Sequence, residues 1–342
     1  MGVVRVVGGG APPLMDVWWV PPAGPPKRQR VEDLPVLLER DDGFCWVDVP
    51  GCDEQAAGVL ADVFGAHPLA VRDCVEANPT GKVHAYPDHI LLVLHSPEPG
   101  QGGQAHLVEL DQLVSERYLV TVHGPFPPGL GPEAGLQDTA AVLARMEGGR
   151  FTPASPAQLS HAIVSSLARR QEDYVRAIAR KVGALERWAL EGDMTRAEDA
   201  LEEMFRVRHE VLTVATVAAL NSTLYARVGA LPRFVSDDLQ QLAEETRNQF
   251  EILLGMCEAE EKFLQGVLDF YQSRTATKMN QAMERLALIT VVLLPVTAVA
   301  SIYGMNVIVN TDTDFPHVFF ALATMGVVSL GTLHWAKRQG WW

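Results

Sequence analysis

Cysteine is nearly missing from this chain: there are four among 342 residues, Cys45, Cys52, Cys74 and Cys257, and no CxxC pair. So sparse a set excludes a disulfide framework and reads as small buried thiols in a reducing compartment. The ten histidines show no HxxxH spacing, so a tight all-protein zinc site is unsupported as well. Positive charge is also short. Lys and Arg number 28 against 42 Asp and Glu, a net charge of -14, which repels nucleic-acid phosphates and attracts cations. There is no GxxxxGK[ST] loop for a nucleotide and no visible pairing of nucleophile and base, so nothing points to an enzyme or to an organic cofactor. Residues 1–35, with Gly8-Gly9-Gly10 and a Pro-rich run to Pro26, lack the continuous apolar stretch of a signal peptide and read as a flexible leader.

What the chain does have is apolar sequence near its C-terminus. LALITVVLLPVTAVASIYGMN at residues 286–306 carries no charge, and a second apolar run follows after a short polar loop. At about 1.5 Å of rise per residue, each run is long enough to cross a hydrocarbon core of roughly 30 Å. Buried helices of soluble domains also lack charge, but they seldom come as two such runs back to back, flanked by interfacial residues. Here Tyr303 stands at one mouth, and Trp335, Trp341 and Trp342 stand with Lys337 and Arg338 at the other, as aromatic belts and snorkelling cations do. The reading is a membrane hairpin, with a first span at 286–303, a loop at 307–314 and a second span at 315–336. The loop contains Asp312 and Asp314 but no Lys or Arg, whereas Lys278, Arg285, Lys337 and Arg338 flank the outer ends of the hairpin. By the positive-inside rule the loop faces outward, and both termini, including the tail 337–342, are cytoplasmic.

Residues 36–155 alternate short apolar runs with amphipathic stretches. FCWVDVP, KVHAY, HILLVLH, HLVELDQLVS and RYLVTVH read as strands, rich in Val, Leu and Tyr and separated by Pro-Asp and Gly-rich turns. Asp53 is placed to cap a helix ended by Gly65, and a second helix starts at Pro68. Because the later strands follow one another without intervening helices, the expectation is an α+β domain with a mixed or largely antiparallel sheet. Residues 156–235 read as a helical hairpin. Arg169, Arg176, Arg180 and Arg187 share one face, and a carboxylate-rich stretch with Glu191, Asp193, Glu198, Asp199, Glu202 and Glu203 follows. A solvated face and an attraction modulated by cations are both open readings of that pattern. From residue 236 no proline occurs until Pro295, which implies one unbroken helix through residue 304. Phe250, Cys257, Leu264 and Tyr271 recur every seven residues along it. That is a bundle seam in a helix that needs partners, and it suggests an oligomer with stalks on a shared axis.

YGMN at 303–306, after an apolar helix with Leu294-Pro295 and ahead of a second span ending in KRQGWW, resembles the CorA family of divalent-cation transporters. WVDVPG (46–51), FGAHPLAVRDCVE (64–76), GKVHAY (81–86), VELDQLV (108–114) and YLVTVHG (118–124) resemble that family's cytoplasmic domain. The resemblance implies a homopentameric funnel in the cell membrane, with the long stalk helices 236–306 lining an axial pore and magnesium as the main substrate; cobalt and nickel also pass. It implies a selectivity filter of Tyr303, Gly304, Met305 and Asn306, and pore-lining or gating positions at Asn280, Leu286 and Leu294. Spacings of 6, 8 and 12 put Asn280, Leu286, Leu294 and Asn306 near a common helix face. Asp73 of one subunit and Glu245 of its neighbour are implied as regulatory ligands for cytoplasmic magnesium. The sequence also departs from the family. The outer loop lacks the MPEL-type sequence, so cation attraction there falls to Asp312 and Asp314. Arg72 replaces an acid beside Asp73, and Glu245 stands where the stalk partner is often Asp. Two other readings stay open: a zinc transporter of the same architecture, and a membrane-tethered sensor or enzyme.

Overall fold

Seven strands form one mixed sheet in the computed structural model, which describes residues 15–100, 105–126, 130–191, 197–231, 237–304 and 315–338. In chain order they are β1 (Asp16–Val20), β2 (Lys27–Gln29), β3 (Phe44–Val49), β4 (Lys82–Ala85), β5 (Ile90–Pro99), β6 (Ala105–Val114) and β7 (Tyr118–His123). Across the sheet they run β2-β1-β3-β7-β6-β5-β4. Only β3 and β7 pair in parallel. Short connections between β4, β5, β6 and β7 allow antiparallel pairing alone, since a parallel neighbour needs a long crossover.

Both faces of the sheet are covered, which is why Ile90–Leu94 of β5 read as a continuous apolar run and not as an alternation. On one face lie α1 (Leu34–Leu38), α2 (Glu54–Asp62) and α3 (Pro68–Val75). The Asp53 side chain accepts a hydrogen bond from the Ala56 amide at 2.7 Å and caps α2. Gly65, at φ 64°, takes the left-handed turn between α2 and α3. Leu60, Ala70 and Cys74 of these helices share a core with Val47, Leu113 and Val120, each large aliphatic side chain contributing roughly 1.5–3 kcal/mol by its burial. On the other face lie α4 (Pro132–Glu147), α5 (Pro156–Glu191) and α6 (Ala197–Gly229). Because α5 and α6 rest on the strands, residues 36–155 and 156–235 fold into one compact unit with the start of the long helix, up to Gly266.

The expected flexible leader is corrected over residues 16–29. DVWWV pairs with β3 along its whole length and turns back through β2. Val17 and Trp19 enter the core beside Leu34 and Leu37, and the Arg40 guanidinium lies 4.3 Å from the Trp19 ring centroid. Two buried side chains and a cation–π contact outweigh the ordering of a Pro-rich segment. Of the four arginines on that face, Arg176 turns to Glu172 and Asp173 of its own helix. Lys181 of α5 pairs with the buried Glu210 of α6 at 2.9 Å.

Helix α7 runs unbroken for 68 residues, Asp237–Gly304, as the missing prolines require. Its seam of Phe250, Leu253, Cys257, Leu264, Val267, Leu268 and Tyr271 is buried throughout. Within the first unit Phe250 stacks on Tyr225 of α6 at 6.2 Å, and Glu261 meets Arg208 at 3.6 Å. The second unit, from Val267, holds the rest of α7 and α8 (Phe315–Arg338).

Candidate ion pathway and carboxylate sites

Among the described residues three helices are long and apolar enough to cross a membrane, in α6, α7 and α8. Burial separates them. The apolar window of α6 is 44% buried within the protein, whereas those of α7 and α8 are 0% and 11% buried. The buried part of α6 packs against β4, β5 and α5. Among the described residues those windows of α7 and α8 are almost wholly exposed, and surfaces of that size call for lipid or other subunits. Their hydroxyls are satisfied within the helix: Thr290, Thr297 and Thr324 each donate to the carbonyl four residues earlier, at 2.8 Å. That removes unpaired donors from a medium without water. Pro295 sits inside α7 without ending it, although its ring crowds the carbonyl of Val291.

Asn280, Leu286 and Leu294 are all exposed on α7. At 3.6 residues per turn they fall within about one third of the circumference, a broad face and not a single line. Tyr303 and Gly304 close the last turn of the helix. Met305, Asn306, Asp312 and Asp314 lie outside the described residues.

The two regulatory candidates are not brought together in one chain. Asp73 ends α3 on one face of the sheet, and its carboxylate meets Lys82 Nζ at 3.0 Å. Glu245 lies on α7 at the other face, half exposed, 3.8 Å from His161 Nε2. His161 Nδ1 shares a hydrogen bond with Thr246 Oγ1 at 2.8 Å. Burial lowers the His161 pKa, and the charge of Glu245 opposes that shift. Among the described residues no three His, Cys, Asp or Glu side chains are arranged to hold a metal ion.

Beside Asp73 lies a buried polar corner that was not anticipated. Asn78 donates from its amide nitrogen to Asp73 O at 2.7 Å, and Glu109 accepts from the Asn78 backbone N–H at 2.8 Å. Asp111 is fully buried with no hydrogen-bond donor of normal geometry for either carboxyl oxygen. Burial first, and the Glu109 charge second, push its pKa well above the usual carboxylate range. A signal was there to read. Positions 109, 111 and 113 share one face of β6, and Leu113 is core, so both acids had to be buried.

A folded-state pKa raised above the unfolded value means stability that is complete at low pH and is lost as pH climbs toward the folded pKa. Asp111→Asn, which cannot ionise, is therefore expected to gain on wild type by up to about 1.4 kcal/mol per pH unit between mildly acidic and neutral pH. Melting curves across that range check this. Parallel pH profiles for the two proteins would contradict a protonated Asp111.

A mixed α/β unit followed by a helix that runs on into an exposed apolar segment, with a second apolar helix behind it, defines a two-span membrane protein. Residues 41–338 match the family model for CorA-like Mg2+ transporter proteins, and the chain belongs to that family of metal-ion transporters, which are not enzymes. It is 24% identical over 328 residues to YfjQ of Bacillus subtilis (strain 168), covering 92% of this chain and 96% of that protein. It is 21% identical over 312 residues to the cobalt/magnesium transport protein CorA of Thermotoga maritima, covering 90% of this chain and 86% of that protein. The solved CorA magnesium transporter of Methanocaldococcus jannaschii superposes with a TM-score of 0.78 at 15% identity, over 96% of this chain and 98% of the other.

Proposed function

We propose that this chain carries magnesium into the cell as a homopentamer in the cell membrane, with cobalt and nickel also permeant. The observation that supports this best is the continuity of α7: one helix runs from the buried seam at Phe250 past exposed Leu286 and Leu294 as far as Gly304. In this reading the segments 286–303 and 315–336 span the bilayer, the loop 307–314 is outside, and both termini are cytoplasmic. Five copies of Asn306 ring the outer mouth, and Asp312 and Asp314 draw cations toward it.

Magnesium gives up its first water shell reluctantly. Amide carbonyl oxygens accept hydrogen bonds from the ion's own waters, so the ion passes hydrated. Gly304 lets the backbone turn, and Tyr303 and Met305 hold that turn. Asn280 continues the polar lining inward. Rings of Leu286 and Leu294 dewet and block ions until the helices splay. The driving force is the inside-negative potential, about 4.6 kcal/mol per 100 mV for a divalent ion. Magnesium bridging Asp73 of one subunit to Glu245 of the next closes the pore when the cytoplasmic level is high.

Uptake by protein reconstituted in vesicles tests this. Magnesium flux that rises with an imposed inside-negative potential is the expected result, with smaller cobalt and nickel fluxes. Uptake of zinc alone, or flux that follows a proton gradient and ignores potential, would replace this reading with a zinc transporter of the same build.

A further inference from the structure

The carboxylate proposed to sense magnesium already has a cation beside it. Lys82 Nζ lies 3.0 Å from Asp73 Oδ1 and 2.6 Å from Asn78 Oδ1. Asn78 is itself fixed by Glu109 and by the backbone carbonyls of Asp73 and Glu76, so the lysine rests in a built seat of two oxygens. The Asp73 side chain is only 10% exposed, and a magnesium ion requires several oxygens in octahedral order close around it. With the ammonium seated, Asp73 does not fit that demand.

We propose that Lys82 is a tethered cation that occupies the Asp73 site in place of a regulatory magnesium ion, so that magnesium closes this transporter only at concentrations that displace the lysine. The inference rests on the magnesium reading above. Lysine suits the role because its compact charge rides on a flexible four-carbon stem. Lys82 stands on β4, the last strand of the sheet, and its side chain is 30% exposed, so it has solvent to swing into. A short tether gives an effective concentration in the millimolar range or above, enough to compete with a weakly bound free ion. Of the acids nearby, Glu109 is engaged by Asn78, and Asp111 is fully buried.

The full chain, purified and titrated with magnesium chloride at constant ionic strength, supplies the test, read as melting temperature and protease protection. Lys82→Gln keeps hydrogen-bonding reach to Asp73 and Asn78 but removes the charge. It is expected to reach half-maximal protection at a magnesium concentration at least about fivefold lower than wild type. Lys82→Arg retains the charge and is expected to stay near wild type, and adding Asp73→Asn to Lys82→Gln should abolish the gain. Lys82→Met, which keeps the apolar stem, gives the same reading if the glutamine variant does not fold. A Lys82→Gln titration that overlays wild type, or a gain that survives Asp73→Asn, overturns the proposal. Wild-type vesicle uptake separates the two levels: intact magnesium uptake with an unmoved titration rejects the role of Lys82 alone, whereas absent uptake rejects the transport reading.

Discussion

Arg170→Met is expected to cost roughly 3–5 kcal/mol of stability, the usual consequence of removing one member of a buried charge network. In a unit of this size that is on the order of 10 °C in melting temperature. Arg170 projects from α5 between β5 and α4. One guanidinium nitrogen meets Glu98, another meets Asp138 at 2.7 Å, and the Ser96 hydroxyl lies 3.2 Å away. The Glu98 and Asp138 side chains are 8% and 5% exposed, so neither carboxylate can recover its lost partner from water. Burial pushes Asp138 up to about 6 and Arg170 down to about 10, which leaves both charged at pH 7 and dependent on each other. Arg176→Met is the control. Its guanidinium is 56% exposed and its partners lie on the same helix, so the cost should stay within about 0.5 kcal/mol. Neutralising both acids together, with Glu98→Gln and Asp138→Asn, should return most of the stability lost in Arg170→Met. Equal melting of the two arginine variants would show that the network is dispensable.

That contrast also marks how far the sequence could be read. The arginines at helical spacing on α5 stand out as a stripe, yet Arg176 merely pairs along its own helix. Arg170 breaks the stripe and sits among apolar positions, beside buried Leu167, Ala168 and Gln171, and a charge on the apolar face is the stronger sign. Its partners come from 72 and 32 residues away, and no local pattern reports them. The long helix was legible because its rule is local: no proline, and Phe250, Cys257, Leu264 and Tyr271 at constant spacing. The first hairpin was hidden because Pro and Gly around DVWWV look like a linker, and only pairing with β3 shows otherwise. Asp73 could be picked out through the resemblance. Its lysine could not, since Lys82 reaches it only after the chain leaves α3 and enters β4.

Asn306→Ala is expected to reduce magnesium uptake on the order of 100-fold with folding and oligomeric state intact, a change equivalent to about 2.7 kcal/mol. Symmetry sets the size of the effect. In a pentamer one substitution deletes five amides, and a hydrogen bond to a charged group is worth roughly 1.5–3 kcal/mol. Waters polarised by a divalent ion fall in that class, so losing part of the ring is enough. Asn306→Asp provides the counter-test. Five carboxylates bind the ion more tightly, and conduction requires release as well as entry. That variant should bind divalent cations more strongly and yet pass magnesium more slowly than wild type. Melting temperature and oligomeric state, measured on both variants, check that folding is unchanged. A tether that merely anchors the α/β unit predicts the opposite for Asn306→Ala, with function unchanged. Full uptake in that variant would therefore remove the amide ring from the mechanism and leave the selectivity of the pathway to be sought along Asn280, Leu286 and Leu294.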